Sequence, residues 1–239
     1  MKFKPAFKPA KLLKRYKRFL ADAVLEDGSE TTLHCPNTGS MRNCSAPGSR
    51  IWYSTSDSRT RKYPHTFEII EVAGKYLAGI NTGRANGLVR EAIESGLVRA
   101  LAGYGSVRQE VKYGEENSRI DLLLQEHGGR PGQACYIEVK NVTLAMADGM
   151  GLFPDAVSVR GTKHLRELMT IVARGDRAVL FFCVQHTGAT CAGPAEAIDP
   201  EYCRSLHQAL AFGVEVLCYR CQLASNEIVI DQSIPFQWY

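Results

Sequence analysis

Ile120-Asp121-Leu122-Leu123-Leu124 and Tyr136-Ile137-Glu138-Val139-Lys140 are two short apolar runs, each carrying charge at positions where a strand would turn it away from its apolar neighbours. Their length and aliphatic content read as β-strands. Asp121 precedes Glu138, and Lys140 follows two positions after it, across Val139. Neighbouring strands would bring two carboxylates to one Mg²⁺ and set an ammonium beside a phosphate. No other stretch of the chain suggests bond-breaking chemistry so concretely.

An acid-x-Lys tripeptide arises about once or twice by chance in a chain of this length. A second copy is present at Glu110-Val111-Lys112, but no Asp precedes it on an adjacent strand pattern. Pro154-Asp155 lies downstream of Glu138, which breaks the Asp-then-Glu-x-Lys order, and Pro-Asp pairs commonly begin turns. The competing reading of Asp121, Glu138 and Lys140 is a pair of strand-end acids balanced by surface lysines.

Around these runs the hydrophobic period alternates between helix and strand. Leu88, Glu91, Ala92, Ile93 and Leu97 carry a helical stripe over Asn86–Val98. Strands at Val107–Tyr113, Arg119–Gln125 and Cys135–Val142 form an expected antiparallel meander, joined by Gly114–Asn117 and Glu126–Gln133. A helix at Arg160–Arg174, a buried strand at Ala178–Gln185, a helix at Pro200–Phe212 and a strand at Val214–Arg220 complete the order. The order resembles the core of PD-(D/E)XK nucleases, which makes Glu91 on the first helix a candidate third acid. Arg160, Lys163 and His164 gather on one helix face, with Arg166 nearby, as a candidate phosphate grip. Lys163 could equally pair with Glu167 across one turn.

The first third of the chain has a different texture. Arg18–Leu25, Thr31–His34, Ile51–Tyr53, Phe67–Val72 and Tyr76–Ile80 are short β-patterned runs separated by turn residues. About five strands in roughly eighty residues fit a small OB-like barrel, a fold that commonly binds nucleic acid. The chain therefore reads as α+β: a five-stranded OB-like β-barrel at 1–82, then a nuclease-like α/β domain at 83–239.

The 239 residues carry a net charge of +4, distributed unevenly. Lys2, Lys4, Lys8, Lys11, Lys14, Arg15, Lys17 and Arg18 all precede the first acid, Asp22, and such an arm suits a polyanion. Arg59, Arg61 and Lys62 follow a serine-rich loop and form a second candidate contact, while Tyr16, Phe19, Trp52, Tyr53 and Tyr63 could stack on bases. No stretch approaches the roughly 18 uninterrupted apolar residues of a membrane span, and the basic N-terminus lacks an apolar h-region. The eight cysteines are irregularly spaced, as expected of reduced thiols in a cytoplasmic protein, and Cys218-x-x-Cys221 lacks the second ligand pair that zinc needs.

Several segments closely resemble the sugar fermentation stimulation protein A family. They include Leu12 to Asp22, His34-Cys35-Pro36-Asn37-Thr38-Gly39, Ser118-Arg119-Ile120-Asp121, Phe153-Pro154-Asp155-Ala156-Val157, Tyr136 to Leu144 and Arg160 to Leu168. The resemblance covers nearly the whole chain. It implies an OB-like domain, a nuclease-like domain, non-specific DNA binding and a regulatory role in maltose and other sugar use. It also implies a helix-turn-helix across Ser205–Ala224, with Ser205, Gln208, Ala209, Gly213, Arg220 and Ala224 as its positions. The β-branched alternation of Val214–Tyr219 reads instead as a strand. The expected function is sequence-non-specific DNA binding, with RNA as a further expected partner. The alternative is a phosphodiesterase with Asp121 and Glu138 holding Mg²⁺ or Mn²⁺, Lys140 at the phosphate and Glu91 assisting.

Overall fold

The computed structural model describes residues 1–113, 118–128 and 132–238. The turn expected at Gly114–Asn117 lies outside the described residues, as does 129–131 of the Glu126–Gln133 connection.

Strands β1 (Lys8–Tyr16), β2 (Leu20–Leu25), β3 (Glu30–His34), β4 (Arg50–Thr55) and β5 (His65–Val72) form a sheet that closes on itself where β3 meets β5 at His34 and Thr66. Closure removes the exposed sheet edge and wraps a core containing Leu12, Leu33, Ile51 and Phe67. The alternation that produces the barrel is visible in β1, where Ala10 and Leu12 are buried while lysines at 8, 11 and 14 face out. The basic segment is thus a barrel strand rather than a loose arm. Met1–Phe7, placed with the barrel from sequence, runs instead between the barrel and the second domain: Phe3 N and Phe7 N donate to Asn226 O and Ser225 O, and Phe7 packs with Ile69 of the barrel.

Strand β6 (Tyr76–Gly79) extends the barrel sheet and joins it to the second domain. Gly79 N donates to Gln185 O, and Leu77 exchanges hydrogen bonds with Thr187. A Cβ at Gly79 would come within 2.4 Å of Gln185 Oε1 and 3.1 Å of its Cβ, so any larger residue there would have to displace the buried Gln185 side chain.

The second domain is a six-stranded mixed sheet in the order β15-β14-β12-β9-β8-β7. Its strands are β7 (Tyr104–Tyr113), β8 (Ser118–His127), β9 (Cys135–Val142), β12 (Arg177–Val184), β14 (Glu215–Ala224) and β15 (Glu227–Ser233). Helix α1 (Ala85–Glu94) packs on one face, and α2 (Val159–Ala173) and α3 (Pro200–Phe212) pack on the other. Strand β9 is parallel to β12, and β12 to β14, so β12 at the centre is buried on both faces and reads as a continuous apolar run. A small sheet of β10 (Leu144–Ala145), β11 (Met150–Phe153) and β13 (Cys191–Pro194) flanks the end of β9. These short strands and β15 lack a sequence period long enough to announce them.

No helix-turn-helix is present at Ser205–Ala224. Ser205, Gln208 and Ala209 lie on α3, which stops at Gly213 in the left-handed conformation, φ 111°. Arg220 and Ala224 lie on β14, hydrogen-bonded between β12 and β15. The β-branched and alternating residues after Gly213 complete the sheet, which a recognition helix would leave with an open edge. Cys218 and Cys221 sit in different cores on opposite faces of that sheet, so they cannot share a zinc ion, and all eight cysteines are free. Among the described residues no helix is long and apolar enough to cross a membrane.

The junction of the domains carries a buried ion pair. Glu68 on β5, 1% exposed, accepts from Arg84 Nε at 2.7 Å and Nη2 at 2.5 Å, from Ser54 Oγ at 2.6 Å and from Asn81 Nδ2 at 3.0 Å. The Arg84 guanidinium also lies over the rings of Phe3 and Phe7. Removing one partner leaves an uncompensated buried charge. Arg84→Ala is expected to lower the unfolding free energy by about 3–5 kcal/mol, and Arg84→Met combined with Glu68→Leu to recover most of that loss. Urea denaturation of both variants checks this.

Candidate metal and phosphate site

The site forms where two strands separate. Strands β8 and β9 are paired through Leu122–Ile137, Leu123–Tyr136 and Leu124–Cys135, and the ladder ends there. Beyond it the carboxylate of Asp121 occupies the gap: Oδ2 accepts from Val139 N at 2.7 Å and Oδ1 from Asn86 Nδ2 at 2.9 Å. The facing alternation of β8 also breaks here, because Ile120 and Leu123 share the α2-side core while Leu122 and Leu124 face the α1-side core.

On β9 the alternation remains regular. Ile137 and Val139 point into the α1-side core, which turns Glu138 and Lys140 toward α2. Lys140 Nζ donates to Glu138 Oε1 at 2.7 Å, and His164 Nδ1 on α2 is hydrogen-bonded to the same oxygen. Arg160 Nε donates to His164 Nε2 at 3.3 Å, so Nε2 is the acceptor and the ring proton sits on Nδ1, directed at Glu138. The second oxygen, Glu138 Oε2, is buried without any hydrogen-bond partner. Glu138 and Lys140 are only 3% and 8% exposed.

The two acids respond oppositely to this setting. Burial and the neighbouring charge of Glu138 push the Asp121 carboxyl up to about 6, outweighing the hydrogen bonds from Val139 and Asn86. Burial acts to raise Glu138 as well, but Lys140 and His164 outweigh it and hold that carboxyl below its usual range. Glu138 therefore carries the negative charge at neutral pH most securely.

A cavity of about 340 Å³ opens above these groups, walled by the Asn37–Gly39 loop of the barrel, Asn86, Asn141, Phe153, Asp155 and Arg160. Among the described residues no three His, Cys, Asp or Glu side chains converge as a metal cluster. A cation here would rest on Asp121 and Glu138, with water and substrate completing its shell.

The structure relocates several residues expected from sequence. Glu91 is not in the site: it is exposed and pairs with the N-terminal ammonium of Met1 at 2.6 Å. Five positions along a helix turn a side chain by about 140°, so the residue of α1 that reaches Asp121 is Asn86. Asn86 also donates to Glu110 at 3.2 Å, so the second acid-x-Lys copy borders the site after all. Asp155, set aside as a turn residue, lines the cavity.

Of the nine basic residues expected to meet nucleic acid, Arg160 alone lines the cavity. Arg15 donates instead to the carbonyls of Arg18, Asn37, Gly39 and Ser40, which makes it a brace for the barrel loop. Lys17 and Arg18 are exposed at the β1–β2 turn, Arg59, Arg61 and Lys62 on the β4–β5 loop, and Arg166 on α2. Lys163 is half-buried on α2. His164, grouped with the cations from its spacing, lies on the buried stripe of α2 with Leu165, Leu168 and Ile171.

Comparison with known proteins follows this geometry closely. The model of the sugar fermentation stimulation protein RE domain matches residues 83–227, and that of the SfsA N-terminal OB domain matches residues 13–80. The chain belongs to the SfsA family. A sugar fermentation stimulation protein homolog of Shewanella sp. (strain MR-4) is 58% identical over 235 residues, covering 98% of this chain and 99% of the relative. The homolog of Shewanella loihica is 57% identical over the same length. The structure described as Pyrococcus furiosus SfsA in complex with Ca²⁺ superposes with a TM-score of 0.87 at 25% identity, covering 100% of this chain and 98% of that one. The family thus comprises an OB barrel and a nuclease-like domain associated with sugar fermentation.

Titration of Asp121 gives a stability signature. Its folded value of about 6 exceeds the ordinary 3.8, so the folded state retains a proton that the unfolded chain releases as pH rises between them. Wild-type stability should fall across that window and stay lowered above it. Asp121→Asn is expected to remove this contribution, on the order of 2–3 kcal/mol. Melting in EDTA should therefore show the variant gaining on wild type between pH 4 and pH 7.

Proposed function

We propose that this SfsA family member binds DNA without sequence preference and holds in its cleft a divalent-metal-dependent phosphodiesterase centre, with Mg²⁺ as the cation and Mn²⁺ as its substitute. The observation that carries this reading is Glu138 Oε2, a buried carboxylate oxygen with no hydrogen-bond partner, beside the second acid Asp121. An orphaned buried acceptor is costly, and a hard cation satisfies it. Mg²⁺ commonly takes one or two protein carboxylates and fills its remaining positions with water and phosphate oxygens. The Ca²⁺ named for the Pyrococcus relative supports a divalent site in this fold.

When bound, such a cation polarises a phosphodiester and activates a water. The chain's own groups arrange the rest. Asp121 is aimed by Asn86 and Val139 N, and Glu138 by Lys140 and His164. Lys140 sets an ammonium at the cavity wall to stabilise negative charge that develops on phosphate oxygens. Arg160 adds charge at the rim and fixes the tautomer of His164. Lys17, Arg18, Arg59, Arg61, Lys62 and Arg166 supply affinity through the backbone rather than the bases of DNA, or of RNA. Free thiols throughout favour a reducing compartment, the cytoplasm.

A second reading is a regulator of maltose and sugar use that binds DNA without cleaving it. The observation favouring it is that six of these cations are exposed outside the cavity and could hold DNA without engaging the acids.

Incubating the protein with DNA and RNA of several forms in Mg²⁺ or Mn²⁺ separates the readings. Cleavage is expected, reduced by about 10²-fold or more in Asp121→Ala and Lys140→Ala. Cleavage surviving both substitutions overturns the site, and binding with no cleavage in either metal favours the regulator. Arg166→Ala should weaken binding to all sequences alike and reduce the slope of log affinity against log salt by about 0.9.

A further inference from the structure

We propose, resting on the nuclease reading of the cleft, that the site takes a single unpaired nucleic-acid strand and excludes an intact duplex. The carboxylates lie under a roof that the barrel domain supplies. Residues Pro36–Cys44 cross the cleft mouth and are tied down on three sides. Thr82 Oγ1, at the entry to α1, donates to Pro36 O at 3.1 Å. Ser40 Oγ donates to Asp155 O at 2.6 Å and Met41 N to Asp155 Oδ2 at 2.8 Å, which fastens the loop to the turn after β11. Cys44 Sγ reaches Thr143 O at 3.3 Å, at the end of β9. Arg15 holds the loop from behind through the carbonyls of Asn37 and Gly39.

The fit between roof and wall is close. A Cβ at Gly39 would lie 2.9 Å from both carboxylate oxygens of Asp155, which leaves no passage between them. Beneath the roof, the space leading to Glu138 and Lys140 is about 340 Å³, near the lower end for a small-molecule pocket.

A duplex offers each phosphate on a convex outer surface flanked by its own paired strand. It cannot carry one beneath a tied loop to a partly exposed Asp121 and a Glu138 that is only 3% exposed without first unstacking and unpairing, which costs a few kcal/mol. A strand already unpaired avoids that cost and can enter one nucleotide at a time. The cavity walls suit such a guest. Phe153 is partly exposed there with Lys140 Nζ 5.9 Å from its ring centroid, offering a stacking platform beside a positive charge. Asn141 lies on the same wall, its Oδ1 accepting from Gln185 at 2.6 Å while its buried Nδ2 has no acceptor.

Two arms test this on the full chain. The first compares one labelled DNA sequence as a single strand, as a blunt duplex, and as a duplex with an unpaired flap, in Mn²⁺. The single strand and the flap should be cut roughly tenfold or more faster than the duplex, with flap cuts confined to unpaired residues. Equal rates on duplex and single strand overturn the proposal. The second arm needs no cleavage: in Ca²⁺, a 4-thiothymidine placed centrally in the single strand or in the blunt duplex is photo-crosslinked and mapped. Crosslinks to residues 36–41 or 150–157 should come from the single strand only. Such crosslinks from the duplex, or from neither form, overturn single-strand entry. Failure of the first arm on every substrate, with the second as expected, removes catalysis alone.

Discussion

The hydrogen bond from Val139 N to Asp121 Oδ2 is the constraint on which this site depends. It stands where the β8–β9 ladder ends, and a carboxylate takes a backbone amide that the diverging strand has released. The sheet thereby opens without leaving an unsatisfied amide. The same bond draws Asp121 into a half-buried position near Glu138, where loss of solvent first and the neighbouring negative charge second push its carboxyl up to about 6. The strand separation, the cleft and its electrostatics share this origin.

Compensation comes from three directions. Lys140 and His164 meet one oxygen of Glu138, Asn86 meets Asp121, and Arg160 holds the imidazole from the rim. These groups leave one oxygen of Glu138 without a partner, which a divalent cation would satisfy. The barrel contributes from the other side. Its Pro36–Cys44 loop is braced by Arg15 and fastened to Asp155, while the Glu68–Arg84 pair and the contacts of β6 with Gln185–Thr187 hold the two domains together. The OB barrel is therefore structural to the cleft.

Much of the fold was legible because its elements carry strong periods. Helix α3 spans Pro200–Phe212 as its pattern indicated, and the apolar run of β12 marks a central strand buried on both faces. Strand β1 was hidden by its outward lysines, whose charge suggested an arm although Ala10 and Leu12 alternate with them in the core. The short strands β10, β11 and β13 are two to four residues long, too brief for any period to show. The helix-turn-helix implied by family resemblance gave way to β14, whose alternation had pointed to a strand.

The sequence alone determined that Asp121, Glu138 and Lys140 belong to adjacent strand patterns, because alternation and order along the chain are local properties. It could not determine which other side chains meet them. Asn86 and Glu91 share one helix, and only the packing of α1 decides that Asn86 faces Asp121 while Glu91 faces the N-terminus. His164 and Arg160 are one turn apart, yet burial makes the first a partner of Glu138 and exposure keeps the second at the rim. Asp155 and Ser40 are more than a hundred residues apart and meet only because the barrel docks against the sheet. Partners brought together across domains leave no period in the chain, so the tertiary structure alone decided them.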